Sequence, residues 1–170
     1  EAWISSASKF CRVMSVMVVS VAGSRPELAA IARRLAAAIA EFTGVAPAVG
    51  TVDPTLYRDD LRRRPPRALL ETSIPRGGID DAVVVLVDDG IATGATMAVA
   101  ARAVRAAGAA GIMIAVPTAP RDALRRFADD PDIDRVVAVD VPEPFRAVGL
   151  TYGEFGQVAD DDVVSCLRDR

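Results

Sequence analysis

Apolar stretches with strand character alternate along the chain with stretches whose apolar residues recur every three or four positions. This alternation is typical of an α/β domain with a mostly parallel sheet. Continuous β-branched runs indicate strands that are buried on both faces. The predicted strands cover residues 16–21, 49–57, 82–87, 112–116 and 135–141. We therefore expect a twisted, mainly parallel sheet flanked by helices.

Helical periodicity is clearest between Pro26 and Gly44, where one apolar stripe is predicted to lie on the sheet. Its members are Leu28, Ile31, Leu35, Ile39 and Phe42. Further helices are predicted over residues 96–107, 120–127 and 160–167. The polar, arginine- and proline-rich residues 58–78 predict a long flexible loop, and such loops are commonly lids or binding flaps.

The length of 170 residues is that of one domain, which we expect to cover residues 1–170. Hydrophobic residues make up 51% of the chain, enough for a single core, and only 5% of the residues are aromatic. The net charge of −3 argues against nucleic-acid binding through bulk electrostatics.

No apolar run approaches the ~20 residues of a membrane span. Residues 13–21 fit a buried first strand better than a signal peptide. We expect a cytoplasmic protein that does not interact with membranes.

The sequence contains no histidine, which excludes Ser-His-Asp and Cys-His catalysis and histidine-ligated zinc. The two cysteines, Cys11 and Cys166, are too few for a thiolate metal site and are expected to be ordinary reduced thiols. Any chemistry must therefore use carboxylates, arginines, hydroxyls, backbone amides or a hard cation.

The strongest candidate site follows the predicted strand at 82–87. Asp88 and Asp89 end this strand, and a turn rich in glycine and threonine leads into the next helix. Ligands bind at the carboxyl edge of parallel sheets, and free amides at a helix N-terminus bind anions. Thr93 and Thr96 add hydroxyl donors for a phosphate. The two carboxylates can accept hydrogen bonds from sugar hydroxyls or bind Mg²⁺. The pattern predicts a phosphorylated sugar as ligand.

Other phosphate-binding motifs do not match. A P-loop requires a lysine before its Ser or Thr, and Lys9 is the only lysine in the chain. The dinucleotide fingerprint of three spaced glycines is also missing. The motif after the strand at 82–87 could also have a purely structural role. In that case Asp88-Asp89-Gly90 is a simple turn and Thr96 is a helix cap.

Residues 83–89, followed by Thr93-Gly94-Ala95-Thr96, resemble the phosphoribosyl pyrophosphate (PRPP) signature of type I phosphoribosyltransferases. The segments Gly50 to Leu61, Thr72 to Pro75 and Gly77 to Asp81 resemble the pyrimidine operon attenuator/uracil phosphoribosyltransferase family. That likeness covers about residues 15–89. Residues from about 83 to 167, including Pro142 to Gly149, resemble predicted phosphoribosyltransferases of another branch. The chain thus resembles a composite of two branches.

The resemblance implies a type I phosphoribosyltransferase fold and Mg²⁺-dependent transfer of a 5-phosphoribosyl group from PRPP to a nucleobase, releasing pyrophosphate. Uracil is the first candidate base, which would place the protein in pyrimidine salvage. By resemblance, Asp88 and Asp89 contact the ribose directly or through Mg²⁺. The implied 5-phosphate site consists of Ile91, Ala92, Thr93, Gly94, Ala95 and Thr96. The implied partners are PRPP and a nucleobase or nucleoside monophosphate, and a homodimer is expected.

The resemblance also implies pyrophosphate-binding and catalytic residues, with one departure from the family's pattern. Ser24 and Arg25 stand in the pyrophosphate loop, but Pro26 replaces a glycine there and removes a backbone donor. Arg58 matches a residue expected to approach pyrophosphate on loop closure, and with Asp89 it is a candidate catalytic residue.

The family's uracil-binding region is replaced by residues 117–134 in this chain. The choice of uracil as the first candidate base therefore depends on the N-terminal resemblance alone.

Two alternatives stay open at this stage. Arg62-Arg63-Arg64 and Arg67 could contact RNA, as they would in a nucleotide-sensing attenuation regulator, although the net charge favours a solvated loop. The chain could also be a catalytically silent protein that keeps the phosphoribosyltransferase fold.

Overall fold

The computed structural model describes residues 16–21, 26–52, 73–74 and 78–153. Five parallel strands in these ranges form one sheet: β1 (Val16–Val21), β2 (Ala48–Val52), β3 (Val83–Val87), β4 (Gly111–Thr118) and β5 (Arg135–Asp140). Their order across the sheet is β2-β1-β3-β4-β5. The predicted fold class is confirmed.

Among the described residues, three helices flank this sheet: α1 (Pro26–Thr43), α2 (Ala95–Ala106) and α3 (Arg121–Ala128). The α1 helix packs on one face, where Ala32 and Ala36 meet Val18, Val85 and Val87. The α2 and α3 helices pack on the opposite face with the larger core cluster. A short 3-10 helix, Val148–Thr151, follows β5. None of the described helices combines the length and the apolar character needed to cross a membrane.

The strand register brings β1 and β3 side by side, with Val16 opposite Val83 and Ser20 opposite Val87. From this pair the sheet extends to β2 on one side and to β4 and β5 on the other. In open α/β sheets, ligands bind at the carboxyl ends of the two strands where the strand order reverses. The fold therefore places the start of the segment after β3 at that position.

Two details of the predicted elements need correction. Phe42 does not belong to the buried stripe of α1, because its side chain is 95% exposed. All residues from 41 to 46 are exposed, so the last turn of the helix extends past the edge of the sheet. The α2 helix begins at Ala95, one residue before the predicted start, because Gly94 caps it.

Several predictions fall outside the described residues. These are the helix at 160–167, both cysteines and nearly all of the loop at 58–78. Within that loop, Ser73 forms an antiparallel bridge with Thr51, and their backbone N–H and carbonyl groups exchange two 2.9 Å hydrogen bonds.

Candidate functional site

A cavity of about 280 Å³ lies at the carboxyl end of β3. The cavity is lined by ten consecutive residues and by one valine that is distant in sequence: Asp88, Asp89, Gly90, Ile91, Ala92, Thr93, Gly94, Ala95, Thr96, Met97 and Val148. The structure thus brings together all the residues that the sequence predicted for the ribose and the phosphate. The roles assigned to them stay predictions.

The acidic end of the cavity is held by main-chain contacts. The Asp88 carboxylate accepts a 2.9 Å hydrogen bond from the N–H of Asp89, and both side chains are half-buried. The Ile91 N–H donates to the carbonyl oxygen of Thr118 at 2.9 Å, which ties the turn to the end of β4. The hydroxyl of Tyr152 donates a short hydrogen bond to the carbonyl oxygen of Asp89. The two carboxylates therefore stand on a turn that is fixed from several sides.

At the other end of the cavity, the N-terminus of α2 offers hydrogen-bond donors. Gly94 caps the helix with φ 79°, and its carbonyl oxygen accepts the first helical bond, from the Ala98 N–H at 2.9 Å. The amides of the first helical turn precede that bond and have no acceptor within the helix. The Ala95 N–H makes only a long 3.4 Å contact with the Thr93 hydroxyl. This arrangement suits an anion such as a phosphate.

Thr96 is the second residue of α2 and is not its cap, so the interpretation of Thr96 as a helix cap is wrong. Its side chain is half-buried and lines the cavity. A threonine there can offer its hydroxyl to a bound phosphate in addition to the backbone amides.

Two glycines of the turn are required by close packing. A Cβ on Gly94 would lie 2.8 Å from the ring of Phe127, and its positive φ also disfavours other residues. A Cβ on Gly90 would lie 2.7 Å from a Val148 methyl and 2.8 Å from the Thr118 methyl. The turn thus fits closely between α3, β4 and the segment after β5.

Arg126 joins α3 to the turn at Thr93. Its guanidinium donates to the Thr93 carbonyl oxygen and to the Asp122 carboxylate, each at 2.9 Å. Sequence analysis did not find Arg126, Phe127, Val148 or Tyr152 as supports of the site. Arg126 and Tyr152 lie 33 and 63 residues from the groups to which they bond, and no local motif marks such contacts.

Ser24 and Arg25, the predicted pyrophosphate contacts, and Arg58, the second catalytic candidate, lie outside the described residues. The same is true of the arginines at 62–64 and 67 on which RNA binding was based. Those assignments stay predictions.

The donor set limits how a metal could bind. Within residues 16–21, 26–52, 73–74 and 78–153, no cluster of three or more His, Cys, Asp or Glu side chains could hold a metal ion. Two adjacent carboxylates nevertheless fit Mg²⁺, which in proteins usually binds one or two carboxylates together with water and substrate phosphates. Asp88 and Asp89 are thus suited to a cation that arrives with a diphosphate ligand.

Similar proteins cover parts of the chain to different extents. Bifunctional protein PyrR of Corynebacterium glutamicum is 56% identical over 78 residues, which are 46% of this chain and 41% of that protein. The Mycobacterium tuberculosis protein of the same name is 51% identical over 78 residues, or 46% and 40% of the two chains. The match thus spans about two-fifths of these relatives.

Solved structures give matches over more of the chain. TT1426 from Thermus thermophilus has a TM-score of 0.58 and 25% identity, covering 95% of this chain and 92% of that one. A point mutant of Trypanosoma cruzi hypoxanthine phosphoribosyltransferase, in complex with the product IMP, has a TM-score of 0.50 and 20% identity. The match covers 75% of this chain and 55% of that one, and the likeness shows the shared fold.

The family model of the phosphoribosyl transferase domain matches residues 14–145, more than three-quarters of the sequence. That range contains the whole sheet and all ten consecutive residues that line the cavity. The sequence resemblance to phosphoribosyltransferases is confirmed, and the chain belongs to the phosphoribosyl transferase domain family.

Proposed function

We propose that this domain transfers the 5-phosphoribosyl group of PRPP to a nucleobase and releases pyrophosphate. The observation that carries the proposal is the 280 Å³ cavity at the carboxyl end of β3, where helix amides, two threonines and two carboxylates meet. A phosphate needs donors and a ribose needs acceptors of hydrogen bonds, and this cavity has both in one continuous turn.

In this proposal the amides and hydroxyls between Thr93 and Thr96 bind the 5-phosphate. The carboxylates of Asp88 and Asp89 accept hydrogen bonds from the ribose hydroxyls or hold a Mg²⁺ ion shared with the diphosphate. When bound, Mg²⁺ would neutralise charge on the leaving pyrophosphate. Ser24, Arg25 and Arg58 are the proposed protein contacts of that leaving group.

The transfer breaks the bond between the anomeric carbon and the pyrophosphate oxygen and forms a bond from that carbon to a ring nitrogen of the base. The displaced electron pair leaves with pyrophosphate, and the base nitrogen loses its proton to solvent. Such a reaction needs stabilisation of developing charge more than a strong base, which a chain without histidine can provide. We assign Asp89 to ribose orientation and Arg58 to charge neutralisation in this step.

Uracil is the first acceptor to test, on the strength of the N-terminal resemblance. We further propose a cytoplasmic homodimer acting in pyrimidine salvage. The experiment measures pyrophosphate release from PRPP and Mg²⁺ with a panel of bases, beginning with uracil. Base-dependent release supports the proposal. PRPP binding without release from any base would instead identify a catalytically silent member of the family.

A further inference from the structure

The guanidinium of Arg126 forms hydrogen bonds through both of its terminal nitrogens. Nη1 donates to the Asp122 carboxylate, and Nη2 donates to the main-chain carbonyl oxygen of Thr93, each at 2.9 Å. Asp122 lies one turn earlier on α3, so the helix itself directs the arginine towards the turn after β3. A guanidinium is planar and rigid, and its two bonds therefore fix the direction in which the Thr93 carbonyl points.

The Thr93 carbonyl oxygen points away from the cavity of about 280 Å³ at the end of β3. Thr93 and Gly94 line that cavity, whereas Arg126, which the oxygen contacts, does not. The peptide bond between Thr93 and Gly94 is trans, and a trans peptide carries its C=O and its N–H on opposite sides. The N–H of Gly94 is therefore directed towards the cavity.

The Gly94 N–H is available to a ligand, because it has no acceptor among the residues that the structure describes. Gly94 has a left-handed backbone, with φ 79° and ψ 1°, and the right-handed α2 helix begins at Ala95. Neighbouring residues of opposite hand direct their N–H groups into one concave surface, which suits an anion. The Gly94 N–H thus joins the amides of the first helical turn, which have no acceptor within the helix.

A glycine does not maintain this orientation by itself. Glycine adopts positive and negative φ at similar cost, so the Thr93–Gly94 peptide can rotate unless another group holds it. Such a rotation would turn the carbonyl oxygen towards the cavity, where its partial negative charge would repel a phosphate. Phe127 packs closely against Gly94, since a Cβ there would lie 2.8 Å from its ring, but a phenyl ring offers the carbonyl no donor. Arg126 supplies that donor.

We propose that Arg126 is a positioning residue for the 5-phosphate: it holds the Thr93 carbonyl away from the cavity and so keeps the Gly94 N–H directed at the phosphate. The inference rests on the proposed function, because it takes the anion bound in this cavity to be a 5-phosphate. It deepens that function by adding to the phosphate site a residue of α3, 33 positions from the carbonyl that it binds.

The exposure of the ion pair separates this role from a contribution to general stability. The side chains of Arg126 and Asp122 are 57% and 72% exposed. Exposed ion pairs contribute little to folding, because water screens their charges. Loss of Arg126 should therefore leave the melting temperature nearly unchanged, whereas the affinity for a phosphate should fall.

The test compares the parent protein with Arg126→Met, which removes both donors and keeps an extended side chain. Ribose 5-phosphate is titrated into each protein by calorimetry, since this probe carries the phosphate but no leaving group and cannot react. We expect the Kd to rise about two- to tenfold in Arg126→Met, because one amide donor is no longer held in place. Arg34→Met is the matched control, since Arg34 is an exposed arginine on α1, which packs on the other face of the sheet.

A second measurement follows the Gly94 amide directly. Its resonance is recorded by NMR during the same titrations. We expect the amide proton to shift downfield with ribose 5-phosphate in the parent protein and in Arg34→Met, and to shift much less in Arg126→Met. A merely structural role of Arg126 would instead lower the melting temperature and would not single out this amide, and that result would overturn the inference.

An unchanged Kd in Arg126→Met would also overturn it. A weaker Kd with an undiminished Gly94 shift would do the same, because it would mean that Arg126 contacts the phosphate itself. In both cases the parent protein still binds ribose 5-phosphate, so the proposed function stands. If the parent protein does not bind ribose 5-phosphate, the proposed function fails and the inference fails with it.

Discussion

The hydroxyl of Tyr152 donates a hydrogen bond to the main-chain carbonyl oxygen of Asp89, across 63 positions of sequence. This contact joins the segment after β5 to the acidic end of the 280 Å³ cavity at the carboxyl end of β3. Val148, in the same segment, lines that cavity and packs where a Cβ on Gly90 would lie. The segment after β5 thus helps to position the turn on which both carboxylates stand.

Replacing Tyr152 with phenylalanine should weaken PRPP binding, because the turn loses one fixed contact while the ring stays in place. A hydrogen bond of this kind contributes about 0.5–1.5 kcal/mol, so the Kd of PRPP should rise about two- to tenfold. Thr43→Val is the control, since the Thr43 hydroxyl bonds to the carbonyl oxygen of Ile39 at the exposed end of α1 and not to the turn. An unchanged Kd in Tyr152→Phe would show that the contact does not position the site.

Gly94→Ala should destabilise the domain more than Gly44→Ala. Both glycines have positive φ, 79° and 74°, so both substitutions incur the cost of a left-handed residue, about 1–2 kcal/mol. Only at Gly94 does the new Cβ also meet the Phe127 ring, at 2.8 Å, whereas Gly44 has open space around it. The difference between the two variants in urea unfolding should be about 1–3 kcal/mol. Equal losses would mean that Phe127 moves away freely.

Thr96→Val should weaken phosphate ligands while preserving the fold, since it removes one donor and keeps the shape of the side chain. We expect the affinity for PRPP or a nucleoside 5′-monophosphate to fall by about tenfold to a hundredfold. Thr43→Val, at the exposed end of α1, removes a hydroxyl far from the site and should leave affinity unchanged. If both variants bind like the parent protein, the phosphate does not contact Thr96.

Thr118→Val should stabilise the domain by about 1 kcal/mol. The Thr118 hydroxyl is buried, with 1% of the residue exposed, and it has no hydrogen-bond partner among the described residues. Ser20→Ala is the contrasting variant, because the equally buried Ser20 hydroxyl lies 3.2 Å from the Thr51 hydroxyl. It should lower stability in the same chemical denaturation experiment. A loss of stability in Thr118→Val would reveal a partner for its hydroxyl.

The part of the site that the sequence predicted is the part that is continuous in sequence. A buried strand, two carboxylates, a glycine turn and a helix follow one another from Val83 to Ala106, and each has a local signal. Parallel-sheet geometry then places the whole turn at the carboxyl edge. This is why the lining of the cavity at the end of β3 could be predicted almost completely.

Contacts between distant residues could not be predicted in this way. Arg126, Phe127 and Tyr152 contact the turn only because α3 and the segment after β5 fold back against the residues that follow β3. Phe42 shows the converse problem, since helical periodicity places it on the buried stripe but does not show where the sheet ends. A single sequence specifies local geometry more closely than the packing of separate elements.

The most direct test of the account is a calorimetric titration of PRPP, with and without Mg²⁺, into the parent protein and the double variant Asp88→Asn with Asp89→Asn. The amides keep the shape of the carboxylates but not the charge that binds a hard cation. Melting temperatures measured on both proteins show that the variant is folded. We predict that the parent protein binds PRPP more tightly with Mg²⁺ and that the folded double variant loses this Mg²⁺-dependent binding. Equal affinity and equal Mg²⁺ dependence in the two proteins would contradict a PRPP site at the end of β3.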